Sequence, residues 1–250
     1  MDNALMNNIA ANNISVSIKR ISKKYGKKQI FKDFYLDLPK GRVIGLLGEN
    51  GIGKTTLLKM IANLSMPNEG MILINDQKTN ESIPTSRHTR DFISFLIEPE
   101  HFESFTKVGD VIQEYRNFYP DFDLEKAQNM CSSFGLKSQD KIKNLSKGQK
   151  ARVCLMLCMS RKTSLYLLDE PMSGFDPKFK KDMVASILSH IEEGQTLIIS
   201  SHLLRDLENL FDEVVILTPN KATVANADEI RAQGRSIEDF YLEVVSDEYE

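Results

Sequence analysis

Three features of this 250-residue sequence predict an α/β fold with an antiparallel β subdomain at its start and an α-helical subdomain inserted in its middle. The opening residues alternate, with Ile14, Val16 and Ile18 followed by Phe34, Leu36 and Leu38, the period of strands that bury one face. "RVIGLLG" is instead a continuous apolar run, the pattern of a strand covered on both faces. From about 104 to 160 the spacing becomes helical, Val108, Val111, Ile112, Tyr115 and Phe118 falling at i, i+3, i+4 and i+7.

The elements follow in order. "PKG" at 39–41 turns the chain out of the first antiparallel strands. "RVIGLLG" leads through a glycine-rich loop into the helical stretch "KTTLLKMIANL", and the apolar strands "MILIN" and "FISFLI" come next. In the helical subdomain "DLEKAQNMCSSFG" starts on a capping aspartate and stops on a glycine. Beyond it come the strand "SLYLLDEP", the helix "KFKKDMVASILSHIEEG", the strand "TLIISS", a short helix "LLRDLENLF" and the strand "EVVIL". "SIEDFYLEVVSDEYE" should form a short helix with an acidic end. The expected organisation is a flexible stretch at 1–13, one domain over 14–245 and an acidic tail at 246–250.

With 41% hydrophobic and 27% charged residues the chain has the material for one large globular unit. A net charge of -3 gives no general attraction to nucleic acid, and no nucleic-acid partner is expected. Six of the ten residues 19–28, "KRISKKYGKK", are basic, which on a hairpin reads as a solvated face. Cys131, Cys154 and Cys158 form neither a CxxC pair nor an even set, so a reduced, intracellular setting is expected. The longest apolar run, "VCLMLCM", is far below the ~18 residues that cross a bilayer.

"GENGIGKTT", residues 48–56, fits G-x-x-x-x-G-K-[ST] between a buried strand and a helix, the context in which backbone amides wrap phosphates. Gly48, Asn50, Gly51, Gly53, Lys54, Thr55 and Thr56 are the candidate phosphate-binding residues. Lys54 would reach the β and γ phosphates and Thr55 would offer its hydroxyl to Mg²⁺. "LYLLDE" ends on two carboxylates: Asp169 at the strand tip is placed to hold Mg²⁺, and Glu170 to orient or deprotonate an attacking water. His202 lies just past "TLIISS", at a strand end where ligands of open α/β sheets bind. "NLSKGQK" supplies a second helix start able to hold an anion.

Taken together, these motifs resemble the ATP-binding subunits of ABC transporters, over about Ile14 to Val245 and in that family's order. The resemblance implies a P-loop NTPase (RecA-like) core. It places Tyr25 where an aromatic stacks on adenine, and makes "LSKGQ" at 145–149 the signature, "SGFD" at 173–176 the following loop, and His202 the switch histidine. It further implies that two ATPase subunits, alike or different, pair head to tail. Ser146, Gly148 and Gln149 of one chain would then close on the ATP held by the other, and the dimer would close on ATP and open after hydrolysis.

Two positions depart from the family's pattern. Lys147 replaces a signature glycine, and Glu98 stands where a metal-contacting glutamine is expected. Glu98 and the stretch "NFYPDFDLEKA" are similar to ATPases of export of, or self-protection against, antimicrobial peptides. The implied function is a cytoplasmic, Mg²⁺-dependent ATPase on the inner face of the cell membrane that drives an integral-membrane subunit, exporting a peptide or amphiphile. An ATP-gated regulatory module with little turnover is the alternative. A ribosome-acting protein usually carries two such cassettes, and a DNA-repair protein a long coiled coil between its motifs. This chain has one of each motif, with 92 residues between Gly53 and Ser146.

Overall fold

The computed structural model describes residues 14–76, 81–96, 107–201, 207–219 and 221–249. β1 (Ile14–Tyr25) and β2 (Lys28–Pro39) form a hairpin in which Val16 faces Leu38, Ile18 faces Leu36 and Ile21 faces Phe34. Register shifts bend this ladder, and Arg20 and Asp33 sit there at φ of 52° and 45°. β4 (Glu69–Asp76) pairs with β1, and β5 (Glu81–Pro84) with β4, giving a four-stranded antiparallel sheet in the order β2-β1-β4-β5. The "MILIN" segment thus joins the antiparallel sheet and not the parallel one. Its pattern explains the choice: Ile72 and Ile74 are buried while Met71 is exposed, so only one face needs cover. Lys23 departs from the solvated reading of the basic run, because it is only 8% exposed.

The second sheet has six strands, β10-β9-β3-β8-β7-β6. These are β3 (Val43–Leu47), β6 (Ile93–Phe95), β7 (Leu165–Asp169), β8 (Thr196–Ser200), β9 (Glu213–Leu217) and β10 (Ala222–Asn226). All pairings are parallel except that of the edge strand β10 with β9. Alternate residues of one strand serve two cores. Leu165 and Leu167 pack with the antiparallel sheet and helix α1 (Lys54–Ile61), whereas Tyr166 and Leu168 pack with the helices on the other face. Cover on both faces is why these strands read as unbroken apolar runs.

Three helices of the inserted region are described: α2 (Val108–Phe118), α3 (Leu124–Ser133) and α4 (Lys147–Met159). Asp123 caps α3 by accepting from the Lys126 amide at 2.9 Å, and Gly135 leaves the helix at φ 68°. α5 (Pro177–His190) stops short of the run that suggested it. Ile191 is extended, and the Glu192 amide donates to the Gln195 side chain at 2.8 Å instead of continuing the helical ladder. Of "LLRDLENLF", residues 203–206 lie outside the described residues and the remainder includes a short 3₁₀ turn, Glu208–Leu210. α6 (Ala227–Ala232) and α7 (Ile237–Tyr249) complete the chain, Phe240, Tyr241, Val244 and Val245 packing α7 against the core.

Arg161, two residues past the end of α4, fastens the helical region to the sheet. Its guanidinium forms paired hydrogen bonds with Asp121 at 3.0–3.3 Å, donates to the Ile93 carbonyl at 2.8 Å and lies 4.1 Å from the Tyr119 ring centroid. Arg161→Ala should therefore destabilise the chain by about 2 kcal/mol, since a buried pair broken on one side strands its partner and Asp121 recovers some solvation. A fall in the urea midpoint measures this; an unchanged midpoint would show that the pair carries no net stability.

Candidate phosphate-binding site

β3 ends in the loop 48–53, which turns tightly, the Ile52 amide donating to the Glu49 carbonyl at 3.3 Å, and opens directly into α1. Gly53 has φ 122°, and a Cβ there would lie 2.7 Å from Ile30 and 2.8 Å from the Phe31 ring. Only glycine lets hairpin and loop approach this closely. No side chain caps the start of α1, so its first amides face outward at the positive end of the helix dipole. Asn50 and Gly51 are exposed at the loop's tip; Thr55 and Thr56 are half-buried in the first turn.

Lys54 is 6% exposed and curls back over this cradle. Its ammonium donates to the carbonyls of Gly48 at 2.7 Å and Glu49 at 3.3 Å, and lies 3.7 Å from Glu170 Oε1. Glu170 follows β7 at φ 44°, a left-handed conformation costly for a glutamate. Two contacts from β8 fix it: the Glu170 amide donates to Ser200 Oγ at 2.9 Å and to the Ser200 carbonyl at 3.2 Å. Ser200 Oγ in turn donates to Asp169 Oδ1 at 2.5 Å, so one serine orients the Asp169 carboxylate and holds the backbone of Glu170. Sequence reading missed Ser200. The signal was its position at the end of an apolar strand that pairs beside "LYLLDE".

Tyr25, half exposed at the end of β1, lies beside Ser65 and Thr56. The Ser65 hydroxyl outweighs the opposing push of partial burial, and with Thr56, Lys23 and Lys59 it holds the phenol below its ordinary range. The structure thus brings Tyr25, the loop glycines, Lys54, Asp169 and Glu170 to one end of the parallel sheet. Glu98 and His202 lie outside the described residues.

Ser146 caps α4 in the helical region, forming a second cradle. Ser146 Oγ accepts from the Gln149 amide at 3.2 Å while the Ser146 amide donates to Gln149 Oε1 at 2.9 Å, a reciprocal capping box. The serine proton is not used in that box and can donate to an anion. Gly148 lies against the Phe179 ring, where a Cβ would stand 3.2 Å away, and Phe179 stacks on Phe175 at 4.2 Å. Lys147 extends over Phe175, its ammonium 5.5 Å from the ring centroid.

The glycine cradle, open helix start and buried lysine fit the polyphosphate of a nucleotide, and the oxygens of Thr55 and Asp169 are of the hard type that Mg²⁺ takes. Among the described residues, no helix is long and apolar enough to cross a membrane. The profile of the family described as "ABC transporter" matches residues 31–173, which include both cradles and both carboxylates. The chain is 28% identical to the "ABC transporter ATP-binding protein YtrB" of Bacillus subtilis (strain 168), over 87% of this chain and 74% of that protein. It is 28% identical to the "Lantibiotic transport ATP-binding protein SrtF" of Streptococcus pyogenes, over 82% of this chain and 88% of that one. Among solved structures, "Structure of ATP binding subunit of ABC transporter" overlays with a TM-score of 0.76 at 23% identity, covering 92% of this chain and 98% of the other, a likeness of fold.

Proposed function

Because the chain belongs to the ABC transporter ATP-binding family, we propose that it hydrolyses ATP in a composite site shared by two ATPase subunits and so drives an integral-membrane partner from the cytoplasmic face of the membrane. The observation that carries this reading is the placement of the Lys54 ammonium 3.7 Å from Glu170 Oε1 beneath an uncapped helix start. A cation able to hold the β and γ phosphates and a carboxylate able to take a proton from water thus face the same point.

In this reading Tyr25 carries the adenine, and the amides of 48–56 wrap the phosphates. Glu170 takes the proton of the attacking water, oriented by its contacts to Ser200. Thr55, Asp169 and, by sequence position alone, Glu98 would hold Mg²⁺, which when bound would neutralise charge on the phosphates. His202 is assigned to the γ phosphate by sequence position alone. Ser146, Gly148 and Gln149 close on the partner's nucleotide, the serine donating its free proton while its oxygen still caps α4. A fixed carboxylate beside Lys54 favours turnover over a gating module that only binds ATP. The lantibiotic relative supports a peptide or amphiphile as the exported cargo.

The test uses two inactive variants. Lys54→Ala lacks a phosphate cation, and Ser146→Arg blocks the closing cradle. Mixed, they should recover up to about a quarter of wild-type activity, because random pairing makes half the dimers mixed and each of these holds one intact composite site of two. Wild-type specific activity should also rise with protein concentration, since association is then part of catalysis. Activity independent of concentration together with no recovery on mixing would exclude the shared site for like chains.

A further inference from the structure

Lys23 is a buried cation to which the catalytic reading assigns no task. An ammonium taken out of water is costly unless its hydrogen bonds and charge are satisfied, so a lysine 8% exposed in a β-strand calls for a compensating role. Two contacts meet it: its Nζ donates to the Met66 carbonyl at 2.5 Å and lies 4.9 Å from the centroid of the Tyr25 ring. The strand explains the second contact. Residues two apart on a strand share a face, so Lys23 and Tyr25 leave β1 on the same side. The first contact reaches the segment between α1 and β4, 43 residues away in sequence.

Tyr25 is consequently held at two points. Its hydroxyl end lies beside Thr56 in the first turn of α1 and Ser65 beyond that helix, and one ring face lies under the ammonium. The ring is half exposed. With one face occupied, a flat ligand has only the opposite face on which to stack. The cation also draws on the ring's negative quadrupole, which favours stacking against an electron-rich heterocycle.

We infer that Lys23 is a positioning residue for the base of the nucleotide: it closes one face of the Tyr25 ring and orients the other toward the base of a ligand whose phosphates occupy the loop 48–56. The inference rests on the proposed nucleotide site and adds to it the device that sets the base platform. It makes a separable claim, that Lys23 contributes to binding of the base and not of the phosphates.

Isothermal titration with ATP and with inorganic tripolyphosphate tests this on wild type, Lys23→Met, Lys23→Arg, Tyr25→Leu and the Lys23→Met/Tyr25→Leu double variant. Lys23→Met should weaken ATP binding about threefold to tenfold, in the range of one desolvated cation–π contact, with tripolyphosphate affinity unchanged. Lys23→Arg, which keeps a cation over the ring, should restore most of the loss. In the Tyr25→Leu background Lys23→Met should cost nothing further, because the ring through which it acts is gone. Equal losses for ATP and tripolyphosphate, or an undiminished cost in the Tyr25→Leu background, would show that Lys23 acts through the fold and would overturn the inference. An ATP affinity unchanged in Lys23→Met would overturn it too. A wild type that binds tripolyphosphate but gains nothing from the base removes the platform alone; one that binds neither ligand removes the nucleotide site and the inference with it.

Discussion

Glu170→Gln is expected to bind ATP, to lose at least a hundredfold in turnover and to accumulate as a dimer around the unhydrolysed nucleotide. The glutamine keeps the shape of the side chain and can still be held by β8, because the contacts to Ser200 come from the residue 170 amide and not from its carboxylate. What is lost is the proton acceptor, and general-base catalysis is worth typically about 10²–10⁴-fold. Binding should be kept or improved, since the negative charge 3.7 Å from Lys54 is removed while the cation remains for the phosphates. The signature cradle is untouched: Ser146 still caps α4 and still has its proton to donate. Dimers should therefore form on ATP and persist. Size-exclusion chromatography with and without ATP, beside a phosphate-release assay, reads both effects. A variant that stays monomeric in excess ATP would contradict the shared site between like chains. One that retains more than a tenth of the parent's rate would contradict the role of Glu170 as base.

Much of this site could be read in the sequence because its signals are local. "GENGIGKTT" shows its turn glycines and lysine within nine residues, and the box of Ser146 and Gln149 spans four, so neither needs the rest of the fold to be recognised. The parallel strands were legible for the same reason, as burial on both faces leaves an unbroken apolar run. The contacts that escaped are long-range. Arg161 meets Asp121 across 40 residues, Lys23 meets Met66 across 43, and Ser200 meets Asp169 across 31. Each looks in sequence like an ordinary polar residue next to a strand or helix. Only the pairing of β7 with β8 makes Ser200 the support of the Asp169 carboxylate and the Glu170 backbone, and only the docking of the hairpin onto the α1 segment turns one lysine of a basic run into a buried one. The left-handed backbone at Glu170 is equally invisible in composition, because glutamate rarely adopts it and nothing local demands it. It follows from the requirement that this side chain turn back from the strand tip toward Lys54 while its amide faces β8.

Lys54→Ala should lower ATP affinity by about a hundredfold or more, and with it abolish hydrolysis. Lys54 is the only cation in the loop 48–56, and a hydrogen bond to a charged group is worth about 1.5–3 kcal/mol before long-range attraction to a polyanion is added. The loss has a second source in the geometry. Removing the ammonium leaves Glu170 Oε1, which lies 3.7 Å from it, facing the approaching phosphates without the positive charge that now offsets it. The cradle would thus change from cationic to anionic. The two contributions separate in the Lys54→Ala/Glu170→Gln double variant: it should regain part of the lost ATP affinity but none of the hydrolysis, since both the phosphate cation and the base are gone. Lys54 also donates to the Gly48 and Glu49 carbonyls of its own loop; if its loss acted by collapsing that loop, the double variant would bind no better than Lys54→Ala alone. Titration of ATP into the two variants distinguishes these outcomes, and a Lys54→Ala protein with the parent's affinity would mean that the phosphates of the nucleotide are held somewhere other than this loop.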